Sequence, residues 1–512
     1  MKFFSPALIL SFGTLLSYLL GIVRDIFFAR HYGATVITDT YFSAFLISDI
    51  IMIIFVSSAL LGLVTPLFLQ ERENDKQSGY TLFGIFFASL LSIFTVISFL
   101  GIIFTPEILS IFFSAQLEKE PTLFINLARL FFITNFFFAI SNCIGNFLMA
   151  HKHFLSAALS PLIYNIGILI GILFFANDYG IYAAAYGAVA GSIGHLLLRL
   201  WEYFSEISID KRFYPSFNWQ CPQLKELGSS MAFRWLTVGT LQITLVSIQN
   251  FSQTFKNEEG LYSLFLYARN IESAPVMIFG FAIATASFQV LSQLFAENKK
   301  EQMSKIFFVA LYKILFWTIP MAVGIYFLGS YFLANIYSIE IASPEYAILH
   351  SILIVISLAI PLESVLTLFV RAFNATGDTK TPMIITFSQV GALVLTMLCF
   401  RYFGADLLSP ALQIGTSYLL SFIASISVGY FLLHHKNIIE YSSEIFVQKT
   451  GFFLSIIGSF IMGLFLFFIL QYIHLNSLLL ILFIAIISSF LFFLTLFLVW
   501  KKNILSNVKK ML

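Results

Sequence analysis

The sequence predicts an all-α polytopic membrane protein of about fourteen transmembrane helices, as two six-helix lobes in a parallel pseudo-repeat plus two extra C-terminal helices. Composition, block length and charge placement predict it. Of 512 residues, 59% are hydrophobic and 11% charged, against about 25% charged in soluble domains. Sixty-two phenylalanines and a mean hydropathy of +0.91 exclude a soluble globular class. The apolar blocks are long and continuous rather than short and alternating, which favours helices over barrel strands. A net charge of +2 with only ordinary Lys-Lys pairs gives no nucleic-acid footprint.

A helix needs about 20 apolar residues to cross a bilayer. Candidates fall near 6–29, 38–69, 81–104, 123–149, 155–176, 181–202, 227–252, 261–296, 305–334, 345–373, 381–402, 408–433, 450–473 and 475–500. The first run, behind Lys2, imitates a signal peptide. It lacks a small-x-small cleavage site and continues through Arg24, so it reads as retained. The polar interruption 204–226 is a cytoplasmic linker between an N-lobe at 1–203 and a C-lobe at 227–434; residues 435–512 add the thirteenth and fourteenth helices and a tail. A faint repeat at an offset near 226 supports the division, the turn FLMAHKHFLS falling on FNATGDTKTP. Six helices separate the copies, so both run the same way through the membrane.

Positive charge sets orientation. With the N-terminus inside, nineteen of the 28 lysines and arginines fall at inner ends and loops; only Arg30, Lys119, Lys256 and Arg401 fall outside. Both termini are therefore expected in the cytoplasm. Cys143, Cys221 and Cys399 are isolated and read as packing residues, and the eight histidines lack metal spacing, so no metal site is expected.

The exception to apolarity is Ser17–Asp49, which carries Arg24, Asp25, Asp39 and Asp49 where hydrocarbon should exclude charge. An ionised side chain at mid-bilayer costs about 2.5–3.5 kcal/mol on insertion scales, so such residues face protein or a watery pathway.

Three stretches, LLGIVRDIFFARHYGATVITDTYFSAF at 19–45, NFLMAHKHFLSAALSPLIYNIGILIG at 146–171 and RAFNATGDTKTPMIITFSQVG at 371–391, resemble the MurJ/MviN lipid II flippases of the multidrug/oligosaccharidyl-lipid/polysaccharide exporter superfamily. The resemblance implies export of the lipid-linked peptidoglycan precursor across the bacterial inner membrane by alternating access between two lobes. It implies basic residues on the first, second and eighth helices. Arg24 and Asp39 match. Tyr18 stands where arginine is common, Met52-Ile53 where a basic pair is expected and Ser57 where an acid follows; Asn270 takes the place of an arginine, with Arg269 one residue earlier. That shift turns a side chain by about 100°.

The expected substrate-binding residues are Arg24, Arg269, Asp39, Asn270 and Arg234, and those for ion coupling or gating are Asp49, Glu363, Glu272 and Asp25. Arg24 and Arg269 lie roughly 8–12 Å below the outer surface at 1.5 Å per residue, and a guanidinium's planar donors suit a diphosphate. Each has a bland counterpart: Glu272 at i+3 neutralises Arg269, and Asp39 caps the second helix. Arg129, Arg234 and Lys313 lie within snorkelling reach of an interface. Glu363, just after Pro361, combines an acid with a Pro-freed carbonyl. GDTKTP at 377–382 reads as a cytoplasmic turn.

No GxxxxGK[ST] occurs, so the expected energy source is a coupling ion, Na+ or H+, with the membrane potential, and no other cofactor. The expected partners are a lipid-linked glycan and membrane lipids, with no nucleic acid, on a monomer. Three readings stay open beside this one: an exporter of another lipid-linked oligosaccharide or of drugs or cations, a membrane glycosyl- or phosphotransferase, and a non-transporting scaffold. The transferase has only the loop acids Glu71/Glu73/Asp75 and Glu258/Glu259 to offer for metal chemistry.

Overall fold

The computed structural model describes residues 6–52, 65–218, 221, 239–240, 242–255, 258–378, 380–404, 407–439, 446–473, 475 and 477–511; among them there is helix and no strand. Arg234, Ile53 and Ser57 lie outside the described residues. The chain forms two compact units, Met1–Gly260 and Leu261–Leu512.

In the first unit, α1 (Pro6–Tyr32) stops at Gly33, whose φ of 68° lets its N–H reach the Ala29 carbonyl at 2.8 Å. α2 (Val36–Met52) opens on reciprocal bonds between Thr35 and Thr38. The short α3 (Thr65–Asn74) leads to α4 (Lys76–Ile103), whose N-terminal amides are capped by Asp75. Two short helices, α5 (Thr105–Phe112) and α6 (Ser114–Lys119), precede α7 (Pro121–Ala150), which begins with proline where no N–H is needed. α8 (Leu155–Ile170) runs through a π-helical turn, Gly171–Phe175, into α9 (Ala176–Tyr179). α10 (Tyr182–Glu206) and α11 (242–252) complete the unit. α10 packs on α7 and α8, while α2 and α4 pack on α7 and α1 on α8.

In the second unit, α12 (Leu261–Pro275), a π turn at Val276–Phe281 and α13 (Ala282–Ala296) make one span of 36 residues. α14 (Lys300–Tyr337) is followed by α15 (Pro344–Ile356) and α16 (Ala359–Ala375), which meet at a 45° bend. Pro361 explains the bend: its ring cannot approach the carbonyl four residues back, at Ser357. α17 (Lys380–Phe403), α18 (Pro410–His435), α19 (Phe446–Tyr472) and α20 (Leu478–Met511) follow. α14 packs on α16, and α16 and α17 pack on α18, repeating the relations of α4, α7, α8 and α10 in the first unit.

The repeat is also written in the backbone of two turns. After α7, the N–H groups of His151, Lys152 and His153 bond to the carbonyls of Leu148, Met149 and Leu148. After α16, those of Thr376, Gly377 and Asp378 bond to Phe373, Asn374 and Phe373. Every pair is 225 residues apart (152 to 377), and in both turns the middle of the three donor residues is left-handed, Lys152 at φ 65° and Gly377 at φ 77°.

Eleven described helices are long and apolar enough to cross a membrane, or twelve with the bent pair taken as one span, so the chain is a multi-pass membrane protein. The sequence count was about fourteen; its candidates at 38–69 and 227–252 fall partly outside the described residues. The first unit is sealed at one end by a ring cluster in which Phe147 lies 4.8 Å from both Phe83 and Phe213. Phe213 reaches it from the coil after α10, held by the Tyr203 hydroxyl on the Phe213 carbonyl at 3.1 Å. In the second unit α19 lies on α14, with Ser455 Oγ donating to the Phe316 carbonyl at 2.8 Å, while Phe460, Phe483 and Ile486 remain exposed, as lipid-facing residues should.

Candidate functional site

Among the described residues, the charged groups expected at the site fall into three polar clusters within the apolar helices. The first is built on α1 and α8. Arg24 donates from Nε and Nη2 to Asp25 Oδ1, at 2.9 and 2.6 Å, and from Nη1 to Asn165 Oδ1 at 2.8 Å. Asn165 donates back to the Ser17 carbonyl at 3.3 Å, clasping α1. The Arg24 side chain keeps 26% of its surface exposed. A guanidinium has five N–H donors, so Arg24 retains two without partners among the described residues. Tyr18 is exposed one turn and a half earlier.

The second cluster joins α2 to α11. Gln242 Nε2 donates to Asp49 Oδ2 at 3.2 Å, Gln249 Nε2 bonds to Ser43 Oγ, and Gln253 Nε2 donates to Asp39 Oδ2 at 3.4 Å. Residues 242, 249 and 253 lie on one helical face, so the three amides form an antiparallel ladder against α2. Lys119 Nζ donates to Gln253 Oε1 at 2.7 Å, closing the end near Asp39. Asp39 is buried at 2% exposure, so its role exceeds that of a surface helix acid.

The third cluster is in the second unit. Arg269 Nη1 lies 3.5 Å from Glu272 Oε2, and Arg269 Nη2 lies 3.6 Å from Glu363 Oε1. Arg269 also donates to the Tyr418 hydroxyl, which donates onward to Glu363 Oε2 at 3.0 Å. Thus α12, α16 and α18 each place one polar group at the same spot. One guanidinium against two carboxylates leaves a formal charge of −1. Asn270, one residue on, is exposed.

Sequence reading singled out the charged members but missed Asn165, Tyr418 and the three glutamines. The glutamine spacing of seven and four in an apolar helix was the available signal; nothing local marks Asn165 or Tyr418. Arg199, expected among the cytoplasmic-end cations, is buried at 7% exposure, donating to the Ser141 carbonyl and Asn142 Oδ1, both at 2.8 Å. Beside it Glu202 caps α8 through the amides of Leu155 and Ser156. Arg129, expected to snorkel, donates to the Ile102 carbonyl at 3.1 Å.

The polar turns at the helix ends are held separately. Asp378 accepts from Lys436 Nζ and the Thr381 hydroxyl, each at 2.6 Å, and from the Thr381 amide at 3.0 Å. Burial pushes its carboxyl up, but those donors outweigh it and hold it at about 2. His151 meets the Phe147 carbonyl through Nδ1 at 3.0 Å, so that nitrogen carries the proton and Nε2 accepts from Tyr80 Oη at 3.2 Å. Burial drives its imidazole below the ordinary value; the carbonyl opposes this, and Arg72, His153 and Lys211 reinforce it.

Known proteins resemble this chain over most of its length. The probable lipid II flippase MurJ of Rickettsia prowazekii (strain Madrid E) is 26% identical over 458 residues, 88% of each chain. That of Thermotoga maritima is 25% identical over 430 residues, covering 83% of this chain and 85% of the relative. The solved structure of lipid II flippase MurJ in an inward closed conformation superposes at a TM-score of 0.78 and 20% identity, covering 97% of this chain and 100% of the other. An inward-facing multidrug resistance MATE family transporter of the MOP superfamily superposes at 0.65 and 17%, covering 87% and 99%. At those identities the superpositions establish the fold. The family model described as lipid II flippase MurJ matches residues 28–488, through both compact units and the second and third clusters, with Arg24 and Asp25 of the first lying just before it, and the chain therefore belongs to the MurJ family.

Proposed function

We propose that this chain exports lipid II across the bacterial inner membrane by alternating access, as a transporter and not an enzyme, with both termini cytoplasmic and a monomer as the working unit. The observation that carries the reading is Arg24. It is a membrane-embedded guanidinium whose charge is balanced by Asp25, yet it keeps two free donors and a quarter of its surface. Such a group can meet a diphosphate with its remaining donors while keeping Asp25, and needs no large desolvation at that moment. Arg269, Asp39, Asn270 and Arg234 are the further proposed contacts. Asp25, Asp49, Glu272 and Glu363 are proposed to gate or couple export to Na+ or H+, with the membrane potential as a second source of energy. The functional lobes are residues 1–203 and 227–434, joined by 204–226, with 435–512 forming an apolar pair suited to a polyprenyl tail.

Expression of this gene in a bacterium depleted of its own lipid II flippase tests the reading. Restored growth is expected from the wild-type chain, and loss of rescue from Arg24→Ala at equal membrane abundance. A well-expressed wild-type chain that gives no rescue sinks the proposal. The MATE superposition favours one second reading, a drug or cation exporter; that activity calls for acids rather than bases around the substrate and would tolerate Arg24→Glu.

A further inference from the structure

The third cluster contains a carboxylate that its surroundings do not support as an anion. Glu272 is wholly buried, at 0% exposure, and neither of its oxygens accepts a hydrogen bond among the described residues. An ionised carboxylate removed from water without donors costs several kcal/mol. Arg269 is 3.5 Å away, beyond good hydrogen-bond length, and divides its charge with Glu363. The Tyr418 hydroxyl is committed to Glu363. Glu363 approaches the same guanidinium, so two carboxyl groups share one cation. A hydrogen bond between two such carboxyl groups requires that one be protonated, because two carboxylates have no donor.

We infer that Glu272 and Glu363 together hold one exchangeable proton. A proton taken from water onto one carboxyl oxygen changes the cluster's formal charge from −1 to 0 and creates the O–H donor that Glu272 lacks. Its release to water restores the second carboxylate; no bond other than this O–H is made or broken. The groups facing the pair are Arg269 on α12 and Tyr418 on α18. Among the other titratable groups on the helices packed against α12, Tyr337 of α14 packs on Tyr267, Tyr331 of α14 packs on Tyr346 of α15, and His350 of α15 bonds to Ser330. Two features tie the pair to movable backbone. Glu272 precedes the π turn at Val276–Phe281 by one helical turn, and Glu363 follows the 45° bend between α15 and α16. Protonation there is positioned to bias both helices.

The test is pH-difference infrared spectroscopy on the full-length protein in lipid nanodiscs. Wild type is expected to show a protonated-carboxyl band at neutral pH that disappears on alkalinisation and amounts to one proton. Glu272→Gln and Glu363→Gln, each monodisperse by size exclusion, are both expected to lose it, since either remaining acid pairs with Arg269 as an anion. A wild-type band absent at neutral pH, retained in both variants, or abolished by Na+ at constant pH overturns the inference. The use of this proton in transport rests on the flippase reading, but its binding does not. An intact band in a chain that fails to move lipid II supports the proton site and removes the flippase reading. Where export is measurable, Glu272→Gln should abolish its pH dependence.

Discussion

Arg24 is held by neighbours that could not all be named in advance. Asp25 adjoins it in sequence, but Asn165 comes from 141 positions away and takes the Nη1 donor. Hydrogen bonds to charged groups contribute about 1.5–3 kcal/mol. Asn165→Leu should therefore lower the stability of the detergent-solubilised protein by about that amount, measured as a fall in thermal midpoint; an unchanged midpoint would mean water replaces the amide. His151 gives a pH signature. Its folded-state pKa lies below the unfolded value near 6.5, so the folded state binds less proton, and the stabilisation is complete above that value and declines as pH falls beneath it. Between pH 7.5 and 5.5 the wild-type midpoint should fall further than that of His151→Gln. Equal falls would show that the imidazole is not linked to folding.

At the scale of elements, close approach decides which helices touch. α8 and α10 meet at Gly167 and Gly187, where a Cβ added to Gly187 would lie 2.5 Å from the Gly167 carbonyl oxygen. Gly187→Leu should abolish the monodisperse chromatographic peak because backbone, not a side chain, must give way. Gly324, inside α14, has nothing within 4 Å of its missing Cβ. Gly324→Ala should keep the peak and stabilise the helix by about 0.5–1 kcal/mol. Both substitutions look alike on paper as glycine changes in apolar helices; their opposite outcomes test the packing directly. The long spans among the described residues were legible, since hydrocarbon thickness dictates block length, whereas the short helices α5 and α6 were not. The 45° bend was foreshadowed by Pro361, whereas the π turns at Gly171–Phe175 and Val276–Phe281 carry no composition signal.

For the whole molecule, the turns around Lys152 and Gly377 share one backbone pattern 225 residues apart, a left-handed helix ending that also closes α13 at Asn298 and α18 at Asn437. The internal match was faint in sequence because a turn needs one left-handed residue, not a particular side chain. If the molecule exports an anionic headgroup, an inside-negative potential assists it by about 2.3 kcal/mol per charge per 100 mV. Transport of labelled lipid II in reconstituted vesicles should therefore accelerate when an inside-negative potential is imposed. A rate indifferent to the potential would remove the electrical part of the mechanism while leaving the exporter intact.

What the sequence determined by itself is what the bilayer imposes: helical spans of the right length, an excess of positive charge at one set of ends, and a few charged residues too costly to be incidental. Those follow from local composition acting against a uniform solvent. Only the tertiary structure decided which distant partners answer each charge: Asn165 for Arg24, the Gln242, Gln249 and Gln253 ladder for α2, and Tyr418 with Glu363 for Arg269. Such pairings join residues about 100 to 200 positions apart, and the physical reason is plain. In hydrocarbon every polar group must find a partner within the protein, but which helix supplies it depends on packing that no local pattern encodes.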